Sequence, residues 1–241
     1  MLYNANDLYV GRSLDLYGEF SEGEMEAFAQ LVRPGDVAID VGANIGTHTV
    51  ALAQLVGTAG GVVAFEPHRI LFQTLCANVT LNSLANVFCH NLAVGLEPGE
   101  ARVRVYDPSL PQNAGATTVG NDPVGEAVSV VKLDELGLKK VRLIKVDVEG
   151  MELDVLRGGE ELIATNAPTL YIENDRPEQS ANLVRYIDSL GYDLYWHCPP
   201  LFNSGNFFGN SENVFADTIS RNMLCMPKGS RVENLQRVPL P

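Results

Sequence analysis

The sequence predicts one α/β domain built on a central, mostly parallel seven-stranded sheet flanked by helices, with a small β insertion. Three observations predict it. From about Val37 onward, short apolar runs alternate with segments of helical periodicity, as in a sheet whose strands are joined by crossover helices. Several of those runs end in an acidic residue, and the first runs straight into a glycine-bearing turn. The 241 residues suffice for one medium-sized domain with a real core, and 46% of them are hydrophobic. The expected layout is a cap segment over 1–33, a core over 34–228 and a tail over 229–241.

The elements follow in order. Ser21 with Glu24 three residues later reads as a capping box, and Met25, Phe28, Leu31 and Val32 continue at helical spacing. Pro34-Gly35-Asp36 is a turn. Val37 to Val41 is the first strand, and a helix runs from Gly46 to Val56, ended by Gly57. Gly61 to Glu66 is the second strand, stopped by Pro67. A helix over Arg69 to Asn82 leads to a third strand over Val87 to Ala93. Ala101 to Tyr106 alternates like a half-exposed strand, a polar stretch covers 107–125, and Val128 to Leu133 is a further strand. Together they read as an insertion over the active-site edge, because so long a loop inside a compact domain is usually functional. The alternation then resumes: a strand over Val141 to Val146, a helix over Glu149 to Leu156 closed by Gly158-Gly159, and a strand over Thr169 to Glu173. A helix over Pro177 to Leu190 precedes two last strands, Tyr192 to His197 and Asn222 to Met226. Between those two lies a second long loop, 199–213, rich in Asn, Gly and Phe.

The formal net charge of −13 repels phosphate backbones, and no run of Lys or Arg offsets it. A nucleic-acid partner and an anionic membrane surface are therefore not expected. Cys76, Cys89, Cys198 and Cys225 make no CxxC pair and no zinc spacing, and Cys76 and Cys89 read as buried thiols. No basic stretch followed by an apolar run marks a signal peptide. No segment approaches the roughly 18 apolar residues of a membrane span. These features point to the cytoplasm; a homo-oligomer stays open.

The strongest chemical signal is Asp40-Val41-Gly42-Ala43-Asn44-Ile45-Gly46, between an apolar strand and a helix. Ligands of open α/β sheets bind at the carboxyl ends of strands, and glycines let the backbone turn and approach them. The dinucleotide fingerprint is G-x-G-x-x-G. Here Asn44 stands where its second glycine would be, which makes the helix end less accessible to a pyrophosphate. That favours S-adenosylmethionine (SAM), a cofactor without phosphate, over NAD and the oxidoreductase chemistry NAD would bring. Glu66, at the end of the second strand and before Pro67, can accept hydrogen bonds from two ribose hydroxyls. The expected cofactor contacts are Asp40, Gly42, Ala43, Asn44, Gly46, Thr47, Glu66, Pro67, Asn91 and Asp147.

Two later strands also end in oxygen-bearing side chains. Asp147 follows Val141 to Val146, and Glu149 and Glu152 are three apart, as on one helix face. Glu152 reads as a helix-start carboxylate favoured by the dipole. Glu173-Asn174-Asp175 ends the other strand. If the two strands are neighbours, Asp147, Glu173 and Asn174 (or Asp175) could converge and suit Mg²⁺, which takes hard oxygen ligands. Of the four histidines, His197 ends a late strand and His48 lies in the first turn after the glycine motif, where packing explains it. The chain has no Gly-x-Ser-x-Gly elbow and no Walker A motif.

With these motifs in place, the chain resembles the FkbM family of SAM-dependent methyltransferases. The resemblance rests on Pro34-Gly35-Asp36 leading into Ile39 to Gly46, on Phe65-Glu66-Pro67, and on Val131-Lys132-Leu133-Asp134-Glu135-Leu136. It continues with Lys145-Val146-Asp147-Val148-Glu149-Gly150-Met151-Glu152, Val155-Leu156-Arg157-Gly158, Ile172-Glu173 and Asn222-Met223-Leu224-Cys225. The segments cover roughly residues 15 to 228. The resemblance implies a Rossmann-like class I methyltransferase fold and O-methylation of a small-molecule hydroxyl, often on a sugar or a polyketide-type product. Related sugar O-methyltransferase groups hold Mg²⁺ with acids at these strand ends, which by position alone would be Asp147, Glu173 and Asn174. On this reading Asp147, Glu149 and Glu173 face the acceptor, Asp147 or Glu149 takes its proton, and loops 107–125 and 199–213 form its pocket. The segment Tyr17-Gly18-Glu19 would close over the cofactor. A protein or nucleic-acid substrate is the alternative class.

Overall fold

The structure is a computed structural model and describes residues 1–115, 119–120 and 124–241. The chain opens with α1 (Val10–Tyr17), inside the expected cap segment. Its start is marked by Asp7, whose two carboxylate oxygens accept the backbone N–H groups of Tyr9 and Gly11. Helix α2 (Glu22–Leu31) follows Ser21, but the expected capping box does not form. Ser21 takes a left-handed conformation (φ 51°), and its hydroxyl donates to the Glu24 carboxylate instead of capping the backbone. Glu24 turns into the interior.

The main sheet matches the pattern of apolar runs. Its strands are β1 (Val37–Val41), β2 (Gly61–Phe65) and β3 (Val87–His90) from the first half. The third strand is shorter than expected, and Ala93–Val94 is a separate strand, β4, in a second sheet. From the middle come β5 (Gly99–Val103), β6 (Val119–Gly120) and β7 (Glu126–Val131), which with β4 make that four-stranded sheet in the order β4-β7-β5-β6. This is the predicted β insertion. The second half supplies β8 (Val141–Val146), β9 (Thr169–Glu173), β10 (Tyr192–His197) and β11 (Asn222–Pro227). The main sheet runs β10-β11-β9-β8-β1-β2-β3; β11 is antiparallel to both its neighbours and every other pairing is parallel.

Helices cover both faces. They are α3 (Thr47–Val56), α4 (Arg69–Leu81), α5 (Glu152–Arg157), α6 (Glu160–Asn166) and α7 (Pro177–Ser189). The period-2 alternation of a strand sorts β1 between two cores. Ile39 and Val41 pack with Ile144, Val146, Leu156 and Leu183, while Ala38 packs with Phe28, Leu52 and Val56. Helix α5 begins three residues later than expected, because Glu149 (φ 55°) and Gly150 (φ 100°) are left-handed and hold the chain in a turn. Glu149 and Glu152 therefore do not share a helix face. Among the described residues, no helix is long and apolar enough to cross a membrane. The chain order of the strands reverses between β1 and β8, which puts the ligand crevice at their carboxyl ends.

Candidate functional site

A cleft of about 330 Å³ opens at that place, within the roughly 300–1,000 Å³ of small-molecule sites. Its wall at the end of β1 is the glycine turn. Gly42 (φ 81°) tolerates no side chain, since a Cβ there would collide with the Asp147 carbonyl. Close approach of the two turns is thus the reason for glycine. The N–H groups of Gly42 and Ala43 both donate to the Phe65 carbonyl, tying the turn to β2. Asn44 is itself left-handed (φ 51°), a conformation Asn adopts more readily than most residues, and its side chain accepts the Ile45 N–H.

Glu66 meets that turn from β2. One carboxylate oxygen accepts the Asn44 N–H at 2.7 Å and the other accepts the His68 N–H at 2.7 Å. A carboxylate offers about four lone-pair positions, so two remain for a ligand's hydroxyls. Burial pushes Glu66 up to about 7 against the pull of those two N–H groups. Asn91 does not line the cleft; its amide donates to the Glu66 and Pro67 carbonyls and braces the loop from behind. His68 accepts the Tyr106 N–H on Nε2, fastening the insertion to the end of β2, and burial lowers its pKa.

Of the expected cofactor contacts, Gly42, Ala43, Asn44, Thr47, Glu66, Pro67 and Asp147 line the cleft. Asp40 and Gly46 do not. Asp40 is fully buried, accepting the Thr49 hydroxyl at 2.6 Å and facing Lys145 at 3.4 Å. Gly46 opens α3, and a Cβ there would press on Leu75, so it serves helix–helix packing. Both support the turn from below.

The acids converge as expected, with different roles. Asp147, Glu149 and Glu173 all line the cleft. Asp147 is the more open of the first two, its side chain 40% exposed with one oxygen 3.3 Å from Lys145 Nζ. Glu149 is held at 2.6 Å by Arg176 from the turn before α7. Glu152 accepts the N–H groups of Val148 and Gly150, as a helix-start carboxylate does. Burial, then the charges of Asp147, Asp175 and Glu149, push the Glu173 carboxyl well above its ordinary range.

The oxygen set expected for Mg²⁺ does not come together. Asn174 points away from the cleft, its amide donating to Ser180 Oγ and Met223 Sδ. Among the described residues, no group of three or more His, Cys, Asp or Glu side chains is placed to hold a metal ion. The residues do not fit the ion.

The cleft has a further side that sequence reasoning missed. Glu24, His48 and Asn222 line it. Glu24 accepts Ser21 Oγ at 2.8 Å and Asn222 Nδ2 at 3.1 Å, and its other oxygen lies 3.2 Å from His48 Nε2. Asn222 Nδ2 also donates to the Tyr171 hydroxyl, which meets His197 Nδ1 at 2.7 Å. The capping-box reading of Ser21 and Glu24 concealed this network. The roof comes from Tyr9, Val10 and Phe20, from Asn113 to Gly115, and from Leu201 and residues 218–222. Loop 199–213 thus gives only Leu201, while residues 116–118 and 121–123 of loop 107–125 lie outside the described residues. Tyr17-Gly18-Glu19 does not line the cleft. It is tied to the second loop, with Glu19 accepting Asn203 Nδ2 and the Phe207 N–H.

The profile of the methyltransferase FkbM domain matches residues 40–194, more than half of the chain. The chain is 32% identical over 153 residues to the hexuronic acid methyltransferase AglP of Haloferax volcanii, covering 62% of this chain and 59% of that one. It is 32% identical over 162 residues to the 31-O-demethyl-FK506 methyltransferase FkbM of Streptomyces tacrolimicus, covering 54% and 62%. The chain therefore spans about three fifths of the length of these curated relatives. Among solved structures, the methyltransferase FkbM of Methylobacillus flagellatus KT superposes with a TM-score of 0.55 at 18% identity, over 83% of this chain and 50% of that one. That likeness bears on the fold alone. A cleft at the glycine turn, an acidic residue at the end of β2 and a profile match across both place the chain in one family: it belongs to the FkbM methyltransferases.

Proposed function

We propose that the chain is a SAM-dependent O-methyltransferase acting on a hydroxyl of a small molecule, a sugar or a glycosylated or polyketide natural product. One observation carries the reading: Glu66 accepts the N–H of Asn44 while keeping lone pairs toward the cleft, so ribose recognition and the glycine turn form one unit. SAM supplies an already activated methyl on a sulfonium, so the protein's task is placement and proton removal. Gly42, Ala43, Asn44 and Thr47 line one part of the cofactor's path, and Glu66 with Pro67 takes the ribose. Asp147 is the carboxylate best placed to take the acceptor's proton, because its side chain is 40% exposed and its partner Lys145 stands off at 3.3 Å, whereas Glu149 is 19% exposed and held by Arg176 at 2.6 Å. Glu173, protonated, donates a hydrogen bond to the acceptor instead of removing its proton. The acceptor class rests on two relatives, a hexuronic acid methyltransferase and a 31-O-demethyl-FK506 methyltransferase.

The test is a melting curve with S-adenosylhomocysteine (SAH), with NAD as control. A ligand that binds only the folded state at a hundredfold excess over its Kd stabilises it by about 2.7 kcal/mol. A shift with SAH and none with NAD is expected, followed by methyl transfer from SAM to glucuronic acid or a polyol macrolide. A shift with NAD alone would overturn the reading.

A further inference from the structure

The end of the cleft away from Glu66 carries a cation that the proposed chemistry leaves unused. Strand β11 runs antiparallel to β9, so its start, not its end, lies at the carboxyl edge of the parallel strands. Asn222 is the register partner of Glu173, and Arg221 stands one residue before it, just outside the strand. Arg221 and Asn222 both line the cleft. From Glu66 the strands follow as β2, β1, β8, β9 and β11. Four spacings of about 4.8 Å put the Arg221 end of the cleft roughly 19 Å from the Glu66 end along the sheet. A cofactor whose ribose sits at Glu66 does not extend so far. Arg221 therefore belongs to the acceptor's share of the cleft.

Among the described residues, the lysines and arginines lining the cleft are Lys145 and Arg221. Lys145 is buried between Asp40 and Asp147. Arg176, reaching in from the turn before α7, is taken by Glu149. Arg221 is different: it is exposed, and among the described residues it has no carboxylate partner. Its guanidinium lies over the Trp196 ring, 5.0 Å from the centroid. Such a stack uses the face of the guanidinium and leaves its N–H edge free. The backbone beneath is fixed, since the Arg221 carbonyl accepts the Asn174 N–H at 2.8 Å and the Ser220 N–H donates to the Pro199 carbonyl at 2.9 Å.

We infer that Arg221 selects an acceptor bearing a carboxylate, such as a sugar acid, and holds that group in a bidentate pair at the end of the cleft opposite Glu66. The inference rests on the O-methyltransferase reading and narrows its acceptor class. Asp147, Glu149, Glu173 and Asp175 line the neighbouring part of the cleft and repel a carboxylate there. The contact at Arg221 thus sets both which acceptor enters and which way round it lies. The acceptor's hydroxyls then face Asp147, on the strand beyond β9.

The experiment titrates the SAH-saturated protein with methyl glucuronide, an anion, and with methyl glucoside, its neutral counterpart, followed by ligand NMR at neutral pH. The two sugars differ only in bearing a carboxylate or a hydroxymethyl group. Wild type is expected to bind the glucuronide about tenfold or more tightly, as a bidentate charge-assisted pair allows. In Arg221→Gln that preference should vanish. The glucoside should still bind as in wild type and SAH should still raise the melting temperature, which reports that the variant is folded. Arg221→Lys should recover only part of the preference, because an ammonium lacks the planar fork. No preference in wild type, a preference that survives in Arg221→Gln, or binding of neither sugar would overturn the inference. An intact SAH shift in those cases leaves the cofactor reading standing. If SAH itself does not bind, the cofactor reading falls and this inference with it.

Discussion

The ammonium of Lys145 lies 3.4 Å from Asp40 at the centre of the sheet, and both side chains are almost wholly out of water. The two residues are register partners across β1 and β8, so the pair is built into the strand alignment. Lys145 also reaches Asp147 at 3.3 Å, which links the buried charge to the mouth of the cleft. Burial alone would discharge the lysine, but the neighbouring carboxylates Asp147, Asp40 and Glu24 raise its pKa. Replacing one member of such a pair strands the other, at a cost of about 3–5 kcal/mol. Lys145→Met should therefore lower unfolding free energy by that order in urea titrations. The double variant Lys145→Met/Asp40→Asn should recover much of the loss. Equal destabilisation of single and double variants would mean that the pair is not coupled.

This pair also shows where sequence reading stops. The apolar runs of the main sheet and the glycine turn are legible because each is a contiguous local pattern. Glu66 is legible for the same reason, as the last acidic residue of an apolar run. The direction in which Asp40 faces is not local. It depends on the cross-strand register that puts Lys145 beside it, and an acid before a glycine turn reads equally well as a ligand contact. The Ser21 and Glu24 spacing fits a capping box, but His48 and Asn222 from distant segments draw Glu24 inward. The start of α5 was misplaced because Glu149 adopts a left-handed conformation that its residue type does not announce. Helix α1 is only eight residues long, and its signals are the Asp7 cap and the helical spacing of Val10, Leu14 and Tyr17.

Glu24 gives a pH-dependent prediction. Its folded pKa of about 2 lies below the ordinary 4.5, so its contribution is present above the unfolded value and is lost as pH falls through that interval. The size is roughly 3 kcal/mol, since the group is deeply buried and each unit of pKa is worth about 1.4 kcal/mol. Urea unfolding at decreasing pH should show wild type losing this increment between about pH 4.5 and 2. Glu24→Gln should be less stable at neutral pH and should lack that part of the acid dependence. Parallel curves for the two proteins would refute the assignment.

Glu66→Gln tests the ribose contact. The change keeps shape but removes the charge that strengthens hydrogen bonds from hydroxyl donors, each worth about 1.5–3 kcal/mol. SAH affinity should fall by roughly 10- to 100-fold. Asp147→Asn should leave SAH binding largely intact and reduce methyl transfer instead, if Asp147 takes the acceptor's proton. Calorimetry and turnover on the same preparations separate the two effects.

Gly42→Ala probes the approach of β1 and β8. A methyl group there meets the Asp147 carbonyl and must also occupy a left-handed conformation. The two turns would have to separate, taking the Asn44 N–H away from Glu66. A lower melting temperature and loss of the SAH-induced shift are expected together. Retention of the full shift would show that the turn adapts without affecting the cleft.

Glu173 separates a proton donor from a proton acceptor at the end of β9. Burial and the surrounding acids hold it up to about 10, far above its ordinary 4.5. A raised carboxyl pKa costs stability as pH climbs, because the unfolded chain ionises freely above 4.5 while the folded chain must keep the proton. The penalty grows from about pH 4.5 and levels off only above the folded value. Glu173→Gln removes it while keeping a donor of similar shape at the same place. The variant should thus match wild type near pH 5 and become progressively more stable than wild type toward pH 9, seen as diverging melting temperatures. It should also retain methyl transfer, since an amide still donates a hydrogen bond. A variant that is no more stable at pH 9 and has lost turnover would mean that Glu173 is ionised in the folded protein and takes the acceptor's proton itself, in place of Asp147.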